Sequence, residues 1–218
     1  MRHKRVYIVL LLLIVGGRGF SQIPVEWFAG HERSTIDIMF FKFLKHPDQS
    51  NTRFLFFNRN RASIDYRMSG SAYLPQFGFT EALSYNAPRL KGLAPVVVIQ
   101  VLGSGVYSKS GLQWARIRKN MTLFSWLVCE LNQKPNLDYF LLLRYQPKIN
   151  KHLKLFSQLE TLNTIPASTK GKINLTQRLR LGVAWKGYQM GVGVDLNESQ
   201  MNDFAIVQNF GLFLRHEF

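Results

Sequence analysis

Phe204-Ala205-Ile206-Val207-Gln208-Asn209-Phe210-Gly211-Leu212-Phe213-Leu214-Arg215-His216-Glu217-Phe218, at the end of the sequence, alternates in character from residue to residue. Phe204, Ile206, Phe210, Leu212, Leu214 and Phe218 share one face, interrupted only by Gln208 and His216. Ala205, Val207, Asn209, Gly211, Phe213, Arg215 and Glu217 take the other. A period of two is that of a β-strand. In water, so apolar an outer face needs a packing partner; in lipid it needs none.

The same alternation recurs upstream. Between positions 173 and 185, Ile173, Leu175, Leu179, Leu181, Val183 and Trp185 fall on one side, with Gln177 the one polar residue among them. Asn174, Thr176, Arg178, Arg180 and Lys186 fall on the other. Tyr188, Met190, Val192, Val194 and Leu196 alternate with Gln189, Gly191, Gly193 and Asp195, and Lys186-Gly187 between the two runs reads as a tight hairpin turn. Leu137, Tyr139, Leu141, Leu143 and Tyr145 carry aromatics towards both ends of their face, as an interfacial girdle would. Coarser patterns mark strands over 34–45, 52–67, 76–86, 93–103, 111–118, 121–131 and 153–163, separated by Pro- and Asn-rich punctuation. Both termini of a single-chain bacterial barrel lie on one side, so the strand number is even. Residues 23–30 supply the missing member, and the expected fold is an all-β, antiparallel, up-and-down transmembrane barrel of about 12 strands, with 10 as the alternative. No linker divides residues 22–218, which read as a single domain.

Residues 1–21 have a different composition. Arg2, His3, Lys4 and Arg5 precede an apolar run from Val6 to Val15, and Gly19 and Ser21 stand at −3 and −1 of a cut before Gln22. These are the parts of a secretory signal peptide, and the run is shorter than the roughly 20 residues a spanning helix needs. The chain carries 28 Lys+Arg against 13 Asp+Glu; removing Arg2, Lys4, Arg5 and Arg18 with the signal leaves a formal charge of +11. Such basicity suits nucleic acid, an anionic membrane surface or anionic solutes. Export, together with the lack of any zinc-ligand spacing or RNA-binding motif, argues against nucleic acid and against a metal. Cys129 is the sole cysteine, read as a small apolar filler rather than a nucleophile, and no cofactor is called for.

The last eight residues, Gly211 to Phe218, resemble the C-terminal assembly signal of bacterial outer-membrane β-barrels, an alternating strand ending on an aromatic. The resemblance implies that Phe218, supported by Leu214, Leu212 and Phe210, is read by the barrel-assembly machinery through strand addition. Phe56-Phe57-Asn58-Arg59-Asn60-Arg61 and Phe140-Leu141-Leu142-Leu143-Arg144-Tyr145 are similar to phrases in small Bacteroidetes-type barrels, a likeness that carries no activity with it. It implies a Gram-negative outer membrane, with membrane lipid and lipopolysaccharide as surroundings.

Arg59, Arg61, Asp65 and Arg67 share a strand face, as do Arg178 and Arg180, and Asp138 and Arg144. A basic residue facing lipid at mid-bilayer costs roughly 2–4 kcal/mol, so these faces are expected to line the lumen. There the arginines either border an aqueous path or pair with Glu81, Glu130, Glu160 and Asp195 in a closed network. Arg59, Arg61, Arg67, Arg144, Arg178 and Arg180 are the candidate lumen residues of a small channel or solute-binding barrel biased towards small anionic solutes. The alternatives are an accessory barrel of a secretion or assembly machine and a lipid-modifying enzyme. For catalysis only His31, beside Glu32 and Ser34, stands at an outer turn, and alternation sets His31 and Ser34 on opposite faces. The chain is therefore not read as an enzyme. Processing is directly testable: protein recovered from outer membranes is expected to begin at or within a few residues of Gln22 by intact mass, and a chain starting at Met1 would overturn the signal-peptide reading.

Overall fold

The computed structural model describes residues 23–66, 76–132, 135–167, 173–200 and 204–218, and for Gln200 and Phe204 the backbone alone. The leader, its cleavage position and Arg67 lie outside the described residues. Twelve strands run in chain order: β1 Pro24–Gly30, β2 Arg33–Lys45, β3 Asn51–Asp65, β4 Gln76–Tyr85, β5 Leu93–Leu102, β6 Gly105–Arg118, β7 Met121–Glu130, β8 Asn136–Tyr145, β9 Leu153–Pro166, β10 Ile173–Trp185, β11 Tyr188–Gln200 and β12 Phe204–Glu217. Each pairs antiparallel with its chain neighbours, and β12 pairs with β1, so the sheet closes. The expected count of 12 and the up-and-down order are both met.

Several strands outrun their expected lengths. β6 starts at Gly105 rather than 111, β9 continues to Pro166 and β11 to Gln200. The added stretches are polar or mixed, which hides them from a hydropathy pattern. Their backbone ladders continue all the same, because an amide leaving the sheet inside a membrane protein has no other partner. The outer wall carries the apolar alternates: Leu179, Leu181, Val183, Phe210, Leu212 and Leu214 are all exposed there. Tyr85, Tyr145, Trp185 and Tyr188 are exposed near the rim that holds both chain ends, the termini rim, and Tyr139 sits towards the far rim. Cys129 faces outward and is exposed, so it fills no interior gap, contrary to expectation.

Turn chemistry matches the hairpins. Lys186 and Gly187 both adopt positive φ, 47° and 84°, as a two-residue turn following the strand twist requires. At the β2–β3 turn the Ser50 hydroxyl and backbone N–H both donate to Asp48, holding its carboxyl below the usual range.

The seam between β1 and β12 depends on one side chain. β1 has 7 residues and β12 has 14, so β12 overshoots β1 at the far rim. Asn209, fully buried on β12, fills the step. Its Oδ1 accepts from the backbone N–H groups of Glu32 (2.9 Å) and Arg33 (3.3 Å), and its Nδ2 donates to the Arg33 carbonyl at 3.1 Å. Gly30 lies against this carboxamide: a Cβ there would sit 2.1 Å from Asn209 Oδ1. Asn209→Ala leaves two backbone donors and one acceptor unpaired, at about 1–3 kcal/mol for each buried group. The variant is expected to unfold from lipid vesicles at clearly lower urea, and an unchanged midpoint would show that the seam closes without it.

Candidate functional site

The inward alternates of β1, β2, β3, β9, β10 and β11 place opposite charges next to one another. Asp37 on β2 stands across from Arg61 on β3, and Arg178 on β10 is flanked by Glu160 on β9 and Asp195 on β11. Arg59 grips Asp37 with Nε at 3.1 Å and with Nη2, while its Nη1 crosses the lumen to Glu160 Oε1 at 2.7 Å. Arg178 also bonds Glu160. Arg61 Nη2 reaches Asp195 Oδ2 at 3.2 Å, and Arg180 joins Asp195 (2.7 Å) to Glu26 on β1 (2.9 Å). Arg180 is only 2% exposed, stacked 3.9 Å over the Phe28 ring. Gly193 makes room for it, since a Cβ there would lie 2.8 Å from Arg180 Cδ. Thus Arg59, Arg61, Arg178 and Arg180 do share the lumen, but they meet Glu26, Asp37, Glu160 and Asp195 and are balanced by them.

Two further groups of charges adjoin this network, Arg215 of the second lining one cavity with Glu26, Asp37 and Glu160. Lys109 on β6 binds Asp138 and lies 3.3 Å from Glu130. Arg144, near the termini rim, donates from Nε to Gln158 Oε1 at 2.8 Å; Arg215 Nη1 shares that neutral oxygen at 3.3 Å. Glu81 departs from expectation. On β4 the inward alternates are Gly78, Thr80, Ala82 and Ser84, so Glu81 points outward with Phe77, Phe79, Leu83 and Tyr85 and cannot join the lumen network. Sequence reading missed Glu26, Asp37, Lys109, Asn209 and Arg215. Asp37 was findable, because it alternates with Thr35, Met39 and Phe41 along an otherwise consistent inner face.

Another part of the lumen is apolar. Phe57, Phe124, Trp126 and Phe140 meet with Met39, Val96, Val98 and Leu142 in one buried cluster. Phe41 on β2 lies 4.7 Å from Phe124 on β7, and Phe57 on β3 lies 5.1 Å from Trp126 on β7, ring to ring. Side chains from nearly opposite walls therefore touch in both parts: salt on one side, aromatics on the other. Towards the far rim the lumen opens into a vestibule. One cavity of about 250 Å³ is lined by Arg33, Thr35, Arg61, Ser63, Arg178 and Asp195. A second, of about 340 Å³, shares Arg61 and Arg178 with it and extends to Lys109, Glu130 and Asp138.

His31, Glu32 and Ser34 are not assembled as a triad. His31 Nδ1 accepts from the Phe210 N–H at 2.9 Å, its Nε2 lies 3.6 Å from Glu32, and the Ser34 hydroxyl accepts from Trp27 Nε1. Phe218 ends the seam, exchanging backbone bonds with Ile23 at 3.2 Å; its side chain is 72% exposed and Leu214, Leu212 and Phe210 line the wall behind it.

No protein-family model matches the chain, and no curated protein is similar to it in sequence. Solved structures with a similar fold are bacterial outer-membrane barrels. A KdgM porin in complex with disordered oligogalacturonate matches at 10% identity over 90% of this chain and 99% of that one, with a TM-score of 0.46. The β domain of the Bordetella autotransporter BrkA matches at 11% identity over 90% and 99%, TM-score 0.32. OmpT of Vibrio cholerae matches at 9% over 90% and 97%, TM-score 0.34. These likenesses are of fold alone.

Glu160 carries the cross-lumen contact, so its removal tests the network. Glu160→Ala strips a partner from both Arg59 and Arg178, and breaking a buried pair from one side costs about 3–5 kcal/mol. A loss of that size is expected in vesicle unfolding, with part of it recovered by adding Arg59→Met. A loss below about 1 kcal/mol, the range of a solvated surface pair, would show that the network is water-filled.

Proposed function

We propose that this chain is an outer-membrane barrel whose far-rim vestibule receives a small anionic solute, above a lumen closed at rest by its own side chains. One observation carries the reading. Arg33, Arg61 and Arg178 converge on the 250 Å³ cavity beside a single carboxylate, Asp195. Arg33 Nε, Arg61 Nη1 and Arg178 Nε are buried without a hydrogen bond, the last two lying beyond hydrogen-bond reach of carboxylates, 3.9 Å from Asp37 and 3.7 Å from Asp195. Asp195 is already committed to Arg61 and Arg180. Buried guanidinium donors left over in this way favour an oxyanion, such as a phosphate or carboxylate, whose oxygens match their fork.

The closed plug bears on the other readings. Transport would require the Arg59–Glu160 bridge and the aromatic slab to part, so a channel is a gated version of the same barrel. An accessory barrel without transport is favoured by the wall-to-wall contacts of Phe41, Phe57, Phe124 and Trp126. In either case the outer membrane, with its lipid and lipopolysaccharide, is the proposed location. Phe218, on the exposed end of β12, is the residue proposed to be read during assembly.

Inorganic phosphate serves as probe. At constant ionic strength it is expected to raise the unfolding midpoint of the barrel in detergent, by roughly 1.4 kcal/mol at ten times its Kd. Arg33→Gln, which spares the plug, should abolish that gain while leaving the phosphate-free midpoint nearly unchanged. Planar bilayers should record no steady current from the wild type. Current with anion selectivity would replace the closed vestibule with the gated channel, and neither current nor phosphate stabilisation would leave the accessory barrel.

A further inference from the structure

The outward face of β3 and β4 carries a polar row where lipid should be. Phe57 and Ala82, paired across the two strands, both belong to the inner cluster, so their neighbours Asn58 and Glu81 point outward as a directly opposed pair. Asn58 Nδ2 donates to Glu81 Oε1, and Asn60 Nδ2 donates to Asn58 Oδ1 at 3.3 Å. Asn58 stands at the middle of the strand Asn51–Asp65, and Glu81 near the middle of Gln76–Tyr85. Apolar side chains flank the row along both strands: Phe54 and Ile64 on β3, and Phe77, Phe79 and Leu83 on β4, each more than a third exposed. The row thus sits at mid-depth of an apolar wall, where a carboxylate and two carboxamides are expensive and, as a rule, functional.

The row is also chemically unfinished. Glu81 Oε2 and Asn60 Oδ1 are buried without a hydrogen bond. The two carboxamides carry four N–H donors in all, and the bonds above use two. Unused acceptors and unused donors therefore stand side by side in one patch. Such a patch can complete itself. Two copies inserted in the same direction are related by a two-fold axis along the membrane normal, which preserves depth. The polar row of one copy then meets the polar row of the other at the same depth, and a turn of the Glu81 carboxyl, whose Oε2 is covered in the single barrel, brings it to the partner's Asn60 N–H groups reciprocally, as an isologous contact requires.

We propose that β3 and β4 form the interface of a homodimer in the membrane, held by reciprocal Asn58–Asn60–Glu81 hydrogen bonds and rimmed by Phe54, Ile64, Phe77 and Phe79. A solitary barrel would instead have to hold the Glu81 carboxyl against lipid with one oxygen unpartnered. A different membrane protein in that place would need no patch carrying both halves of its own complement.

The mature chain is examined by native mass spectrometry in mild detergent and in lipid nanodiscs. A dimer is expected in both. Glu81→Leu is expected to weaken it by at least about tenfold while keeping the heat-modifiable mobility of a folded barrel, since the exchange only makes an outward position more apolar. An independent readout keeps Glu81 intact. Ala62→Cys, two positions along the same outward face, in a Cys129→Ser background, is expected to form an intermolecular disulfide, and Val192→Cys on β11 is not. A monomer in both media overturns the proposal. So does a dimer indifferent to Glu81→Leu, a dimer that cross-links through β11, or a stable complex with another polypeptide in place of a second copy.

Discussion

The structure depends on a shortage: hydrocarbon offers no hydrogen bonds to a peptide group. Every amide of a spanning segment must find its partner within the protein, and an open sheet edge inside lipid is excluded. Closure of β12 onto β1 follows from that requirement, and alternation follows from closure, because each strand of a closed wall has one face towards lipid and one towards the lumen. The apolar run Phe210, Leu212, Leu214 on β12 and the buried run Asn209, Phe213, Arg215 on the same strand are two consequences of one constraint. The constraint binds hardest at the seam, where β1 is half the length of β12 and the leftover amides of Glu32 and Arg33 are taken up by Asn209.

Closure leaves an interior to fill, and this barrel fills it with two kinds of material. Between β2 and β8 stands a cluster of aromatic and branched aliphatic side chains, packed as in a soluble core. Between β9 and β11 arginines and carboxylates stand in register with one another. Buried ion pairs are a poor source of net stability, because desolvation takes back most of the Coulombic gain. What they supply here is position. Arg59 reaches Asp37 and Glu160 together, so the network ties β2 and β3 to β9 across a width that the twelve strands set. The vestibule inherits that rigidity, since Arg61 and Arg178 on its wall are held by the same carboxylates.

Much of this was legible in the sequence, and the limits were physical. Strand identity, strand number, the Lys186-Gly187 turn and the inward direction of Arg59, Arg61, Arg144, Arg178 and Arg180 all follow from a period of two and the cost of charge in lipid. Strand ends were not legible where polar residues continue the ladder, as from Gly105 to Ser110. Faces were not legible on β5, where Pro95, Val97 and Ile99 are as apolar as Ala94, Val96 and Val98. The bridge from Arg59 to Glu160 joins residues 101 positions apart, and no local pattern encodes it. Glu81 is different. Its alternation with Phe77, Phe79, Leu83 and Tyr85 was visible, and the charge was turned inward only because lipid normally excludes it. The general rule concealed the exception that the local pattern had already displayed.

The order in which contacts become available has a consequence of its own. Hairpins such as β10–β11 form from neighbours in the chain, and the wall can grow by local steps of this kind. The cross-lumen part of the salt network cannot: Arg59 waits for Glu160, and Arg61 for Asp195, 134 residues away. Contacts between such distant residues are the slow ones in folding, because chain entropy must be lost before they form. Neighbouring strands already join Arg59 to Asp37, Arg178 to Glu160 and Arg180 to Asp195, and only the finished circle adds Arg59 to Glu160, Arg61 to Asp195 and Arg180 to Glu26. Completion of the wall and the last of its internal pairings thus come together, which makes the cross-lumen contacts a built-in record of whether the barrel was closed in the right register.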